Sequence, residues 1–91
     1  IGVRDLSDDE REELGLGADE GVLVEDVSGA VAARAGLQPG DVILMVGRAR
    51  VGTAAAFQAQ ASAARPGQSV MLLVRRGEAS SFLALRLPPA D

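Results

Sequence analysis

The stretch Ala33-Arg34-Ala35-Gly36-Leu37-Gln38-Pro39-Gly40-Asp41-Val42-Ile43-Leu44 constrains the fold of this chain more than any other. It reads as the end of a short helix, a stop, a turn and a buried strand. Gly36 can take the left-handed conformation that closes helices. Pro39-Gly40 is a turn pair, because proline presets φ and glycine permits positive φ. Asp41 is placed to brace that turn. Val42 to Val46 is almost wholly apolar, the pattern of a strand covered on both faces.

Around this centre the other elements follow from local chemistry. Ile1 to Leu6 reads as a strand. Ser7-Asp8-Asp9-Glu10 matches a capping box, in which a serine oxygen and a glutamate three residues later satisfy early helix amides. That helix ends near Leu14-Gly15. Gly21 to Val27 is a strand, Val31 to Ala35 a short helix, and Gly47 to Arg50 a tight hairpin that Val51 anchors. Thr53 caps an alanine-rich helix, Ala54 to Ala64, which Pro66-Gly67 ends. Val70 to Val74 is a central strand, Arg75 to Glu78 a turn, and Phe82 to Leu87 the returning strand. The fold class is α+β, mainly β: a partly open barrel or sandwich capped by two to three helices. It fills residues 1–88, with 89–91 as a tail after Pro88-Pro89.

At 91 residues the chain holds one domain, and 47% hydrophobic residues suffice for its core. It has no cysteine, so packing alone must hold it. No apolar run is long enough to span a bilayer, so this segment inserts in no membrane. No secretion signal opens it, and a start at Ile1 suggests a cut from a longer chain. Residues 1–26 carry ten acids against two arginines, a balance of −8, and the rest seven arginines against three acids, +4. An acidic first third repels phosphate and argues against nucleic acid. Histidine, cysteine, tyrosine and tryptophan are all absent. The usual general base, thiol nucleophile and metal ligands are therefore missing, and the expectation is no catalysis, no metal and no cofactor.

The run at 32–44 resembles the A-x-x-A-G-L-x-x-G-D-x-I-L signature of PDZ domains in bacterial HtrA/Deg (Do-type) periplasmic serine proteases. The likeness extends along the chain. Gly21-Val22-Leu23-Val24 resembles the G-V-x-V strand, and Val51, Phe57 and Gly67 the helix pattern ending in P-G. Leu72-Leu73-Val74-Arg75-Arg76-Gly77 resembles the L-x-V-x-R-x-G strand and turn, and Leu83 to Leu87 the closing strand. The element order is similar to the permuted bacterial form, and the first and last segments look most like a last, C-terminal PDZ domain. Val31 stands where proline is common. Of the four-residue carboxylate loop ending Φ-G-Φ, only Ile1-Gly2-Val3 is present.

The resemblance implies peptide binding by β-strand addition. A ligand's C-terminal strand would pair with the first strand, and backbone amides at Ile1, Gly2 and Val3 would receive its carboxylate. Arg4 is a further candidate at that end. Ala54, Gln58 and Ala61, spaced i, i+4, i+7, share a helix face and would frame the pocket for the terminal side chain. Phe57 and Ala64 would turn toward the core. Small walls favour a large aliphatic or aromatic end residue. Arg75 and Arg76 read as a polar rim. Implied partners are C-terminal peptides, misfolded proteins, a parent protease domain and its oligomer neighbours, in the periplasm. Two alternatives stand beside this: an assembly-regulating PDZ domain with a closed groove, and a PDZ domain of another secretion or membrane protease.

Overall fold

The run from Gly36 to Val46 forms the junction its residues dictate, and the rest of the sheet is built against it. A computed structural model describes residues 2–87; Ile1 and residues 88–91, with the expected domain end at 88 and tail at 89–91, lie outside the described residues. The order is β1 (Gly2–Asp5), α1 (Asp8–Leu14), β2 (Val22–Asp26), α2 (Ala30–Ala35), β3 (Val42–Val46), β4 (Ala49–Arg50), α3 (Ala54–Ala63), β5 (Ser69–Arg76) and β6 (Ala79–Arg86). The strands form one antiparallel sheet in the order β1-β2-β3-β5-β6, with β4 paired to β3. This is the mainly β open sheet with three helices that the sequence predicts. The last two strands run longer than their apolar cores, so the turn shrinks to Gly77-Glu78.

The helices are short and depend on their ends. Ser7 Oγ accepts from the Glu10 amide at 3.1 Å, and Glu10 Oε1 accepts from the Ser7 amide at 2.9 Å, completing the capping box of α1. Gly36 closes α2 with φ 90°, and its amide reaches back to the carbonyls of Ala32 and Ala33. Thr53 Oγ1 caps α3 through the Ala56 amide at 3.0 Å.

One face of the sheet carries the main core: Val22, Val24, Ile43, Val46, Leu72 and Val74 from the strands, met by Ala32, Leu37, Val51 and Phe57. Burying these side chains supplies about 1.5–3 kcal/mol each before entropy is counted. On the other face, Leu6, Leu16 and Val42 converge over Gly21, where a Cβ would lie 2.8 Å from the Val42 side chain. Helix α1 covers that corner and stops. Beyond it Met71 and Phe82 stand 44% and 64% exposed.

Long-range polar ties lock these layers. Asp41, 1% exposed, accepts from the Gln38 amide at 2.9 Å and from Arg76 through both carboxylate oxygens at 2.8 Å. Arg76 also donates to the Gly36 carbonyl at 2.8 Å, so one guanidinium joins the end of β5 to the end of α2. The expected polar rim is thus corrected: Arg76 is a brace, and Arg75 donates to the carbonyls of Leu14 and Gly77. Arg11 donates to the carbonyls of Glu20 at 3.2 Å and Gly52 at 2.7 Å. Gly52 is obligatory there, since a Cβ would sit 2.1 Å from the Asp19 carbonyl oxygen.

Candidate functional site

Strand β1 is an edge of the sheet, hydrogen-bonded only to β2 among the described residues. Its register with β2 runs Val3↔Val24, Arg4↔Leu23 and Asp5↔Val22, then slips past Glu25 to pair Gly2 with Asp26. This irregularity sits at Gly2, where the chain bends at the end of the edge. Side chains alternate along a strand, so Val3 and Asp5 face α3 and the core, and Gly2 and Arg4 face the other way. Val3 packs on the core accordingly.

Helix α3 lies against β1. Asp5 fixes their relation: its Oδ1 accepts from the Ala54 amide at 2.7 Å, a carboxylate on a helix N-terminus where the backbone dipole favours it. Phe57 is the one buried residue of α3 among those described, and Ala56 packs partly buried against the core beside it. The opposite side of β1 is held by Arg4, whose guanidinium donates twice to Glu10 of α1 at 2.8 Å. Arg4 also lies 3.9 Å from Glu25.

This clamp has a pH signature. Arg4 and the Ser7 amide hold the Glu10 carboxyl at about 2, below its ordinary 4.5. A depressed folded pKa contributes stability that is complete above the unfolded value and is lost as pH falls through the folded one. Thermal melts should therefore lose stability from about pH 4.5 down toward about pH 2, and Glu10→Gln should flatten that slope. An unchanged slope in Glu10→Gln would assign the acid loss elsewhere.

Toward the far end of α3 a cleft of about 300 Å³ opens. Its walls are Phe57, Gln58 and Ala61 of α3, Ser28, Gly29, Val31 and Ala32 at the start of α2, and Leu85 and Leu87 at the end of β6. The lining is mostly apolar, with Gln58 and Ser28 as polar groups. Of the residues expected at a site, Gln58 and Ala61 line this cleft together. Ala54 lies at the other end of the helix against Asp5 and is not among the lining residues. Gly2 and Val3 belong to the exposed edge, and Arg4 is engaged by Glu10 on the face away from α3. Ile1 lies outside the described residues. Val31, Leu85 and Leu87 were not anticipated as walls; three elements distant in sequence bring them together. Among the described residues no group of histidine, cysteine or carboxylate side chains could hold a metal.

The comparisons agree with this architecture. A family model described as PDZ domain matches residues 1–87. A Synechocystis sp. protein named as the serine protease HhoB is 42% identical over 76 residues, covering 82% of this chain and 18% of that protein. A Hahella chejuensis protein named as a DegP-like periplasmic serine endoprotease is 36% identical over 85 residues, covering 93% of this chain and again 18% of the relative. The chain thus spans under a fifth of the length of the curated relatives it matches. Among solved structures, the HtrA-type protease AlgW with a tripeptide superposes with a TM-score of 0.84 at 32% identity, covering all of this chain and 31% of AlgW. The HtrA3 PDZ domain bound to a phage-derived ligand gives a TM-score of 0.76 at 23% identity, covering 94% of this chain and 79% of that domain, a likeness of fold alone. A permuted sheet with an open β1 edge beside α3, and matches that run the length of the chain, make it a member of the PDZ domain family as carried by HtrA/DegP-like serine proteases.

Proposed function

We propose that this PDZ domain binds the C-terminal ends of polypeptides by strand addition to β1, as the last, non-catalytic module of a periplasmic serine endopeptidase acting on misfolded proteins. The observation that carries the reading is a free strand edge and an apolar cleft that both border α3. Backbone hydrogen bonds along Val3 to Asp5 supply affinity without regard to sequence, and the cleft supplies selectivity. Apolar walls at Val31, Ala61, Leu85 and Leu87 suit an aliphatic or aromatic end residue. Gln58 offers one amide at the rim. Amides near Gly2 would receive the terminal carboxylate, beside a backbone that carries no side chain. AlgW, in the solved structures, is described with a tripeptide and with a decapeptide. The relatives named as periplasmic support the compartment.

Affinity rests on a short strand that must be ordered on binding, so it is modest. An amide-shift titration tests the reading. A peptide ending in a free apolar residue should move amides of residues 2–6 and 57–61. The same peptide amidated at its end should bind more weakly by about 1.5–3 kcal/mol, the size of a hydrogen bond to a charged group. The tested protein should carry an acetylated N-terminus, because a free ammonium at Ile1 would imitate an anion site. Equal binding of acid and amide, or shifts confined to the face of Met71 and Phe82, would rule the reading out.

A further inference from the structure

Strand β6 is the other edge of the sheet, on the side away from β1. Edge strands normally carry a charge, a proline or a bulge that discourages pairing with another chain. Residues 79–85, Ala-Ser-Ser-Phe-Leu-Ala-Leu, carry none, and their register with β5 is unbroken from Arg76↔Ala79 to Ser69↔Arg86. The two-residue turn makes Arg76↔Ala79 a bonded pair, and bonded pairs alternate along an antiparallel ladder. Ser81, Leu83 and Leu85 therefore bond inward. The Leu87 amide, bound to the Gln68 carbonyl at 3.0 Å, continues the alternation. The amides and carbonyls of Ser80, Phe82, Ala84 and Arg86 point outward. No other strand takes them among the described residues. Their side chains share the face on which Phe82 is 64% and Met71 44% exposed.

We propose that β6 pairs antiparallel with β6 of a second copy of this chain, about a two-fold axis at Phe82. Charge selects a copy as the occupant. The strand is flanked by one acid, Glu78, and closed by one base, Arg86, and neither has an ion-pair partner among the described residues. With Phe82 opposite Phe82, Ser80 faces Ala84, and Glu78 of each copy faces Arg86 of the other. Every residue so paired within β6 is one whose backbone points outward, so the ladder closes without conflict. A slip of two residues either way sets Arg86 opposite an uncharged side chain or beyond the strand. Two copies stacked face to face would instead set the arginines around Phe82 against each other, among them Arg86 and Arg50, which pairs with Met45. Leu85 of β6 walls the peptide cleft on the core face, whereas pairing uses the outward backbone of Ser80, Phe82 and Ala84.

Sedimentation equilibrium of the 91-residue chain, from micromolar to millimolar concentration, should show a reversible monomer–dimer equilibrium. Ala84→Pro removes an outward amide without breaking the β5 ladder, and should abolish the dimer at unchanged circular dichroism. Arg86→Glu replaces two attractions by two repulsions and should weaken dimerisation roughly tenfold. Glu78→Arg combined with Arg86→Glu restores both pairs and should recover it. If the proline variant unfolds, the two exposed charge positions decide the matter. A chain that stays monomeric throughout, a dimer indifferent to a folded Ala84→Pro, or a double exchange no stronger than Arg86→Glu alone would each overturn the proposal.

Discussion

Phe57→Ala will cost about 3–5 kcal/mol of folding stability, the range for truncating a buried aromatic ring. Phe57 is 3% exposed and is the one side chain that α3 buries among the described residues. The remaining helix side chains are alanine, serine and glutamine, most of them exposed, so the helix itself offers nothing to fill the space. Average stability runs about 0.05–0.15 kcal/mol per residue, so the loss takes a large share of what a chain this size has. The consequence reaches function, because Phe57 also forms part of the cleft with Gln58 and Ala61. With the ring gone, only the packing of Ala56 and the Asp5 bond to the Ala54 amide tie the helix to the sheet. Urea melts should show the midpoint falling, and peptide affinity should fall with it even where the variant stays folded. A stability loss below about 1 kcal/mol would show that α3 is seated by its caps at Thr53 and Asp5 and not by the ring.

What could be read from the chain alone divides by the range of the interaction. The capping box at Ser7 and Glu10, the stop at Gly36 and the cap at Thr53 are made within four residues, so the local sequence specifies them. The same holds for Asp41 bracing the Pro39-Gly40 turn through the Gln38 amide. The arginine ties were not legible. Arg76 reaches Asp41 across 35 positions and Arg11 reaches Gly52 across 41, and nothing in either neighbourhood announces the partner. Arg76 reads as a polar rim because most arginines are solvated. The i, i+4, i+7 spacing identified Gln58 and Ala61 as neighbours on one helix face. It could not say that α2 and the end of β6 would face them, nor that Ala54 would be tied to Asp5. Phe82 shows the same limit. Alternation in β6 places it on one side of the sheet with Ala84, but only the extent of α1 decides that this side stays uncovered.

Arg76→Met and Asp41→Asn will differ in both size and pH dependence, although each breaks the same ion pair. Asp41 is 1% exposed whereas the Arg76 side chain is 52% exposed. Removing the arginine strands a buried carboxylate with the Gln38 amide as its remaining partner, at a cost to Asp41 of about 3 kcal/mol. Removing the acid's charge leaves Arg76 free to turn to water, and asparagine keeps an oxygen for Gln38, so the loss is about 1 kcal/mol. The pH response separates the cases further. In the wild type, Arg76 holds the Asp41 carboxyl below its usual range against the opposing pull of burial. Its contribution is complete above the unfolded pKa and is lost as pH falls through the folded one. In Arg76→Met only burial and the Gln38 bond remain, and burial raises the pKa above the unfolded value. Stability of that variant then rises as pH falls from neutral through the raised pKa, the reverse of the wild type. Urea midpoints measured at neutral pH and near pH 5 give the comparison. Equal losses in the two variants, or an Arg76→Met that does not recover in mild acid, would mean that the Asp41 carboxylate is hydrated after all and that the brace joining α2 to β5 is weaker than its geometry implies.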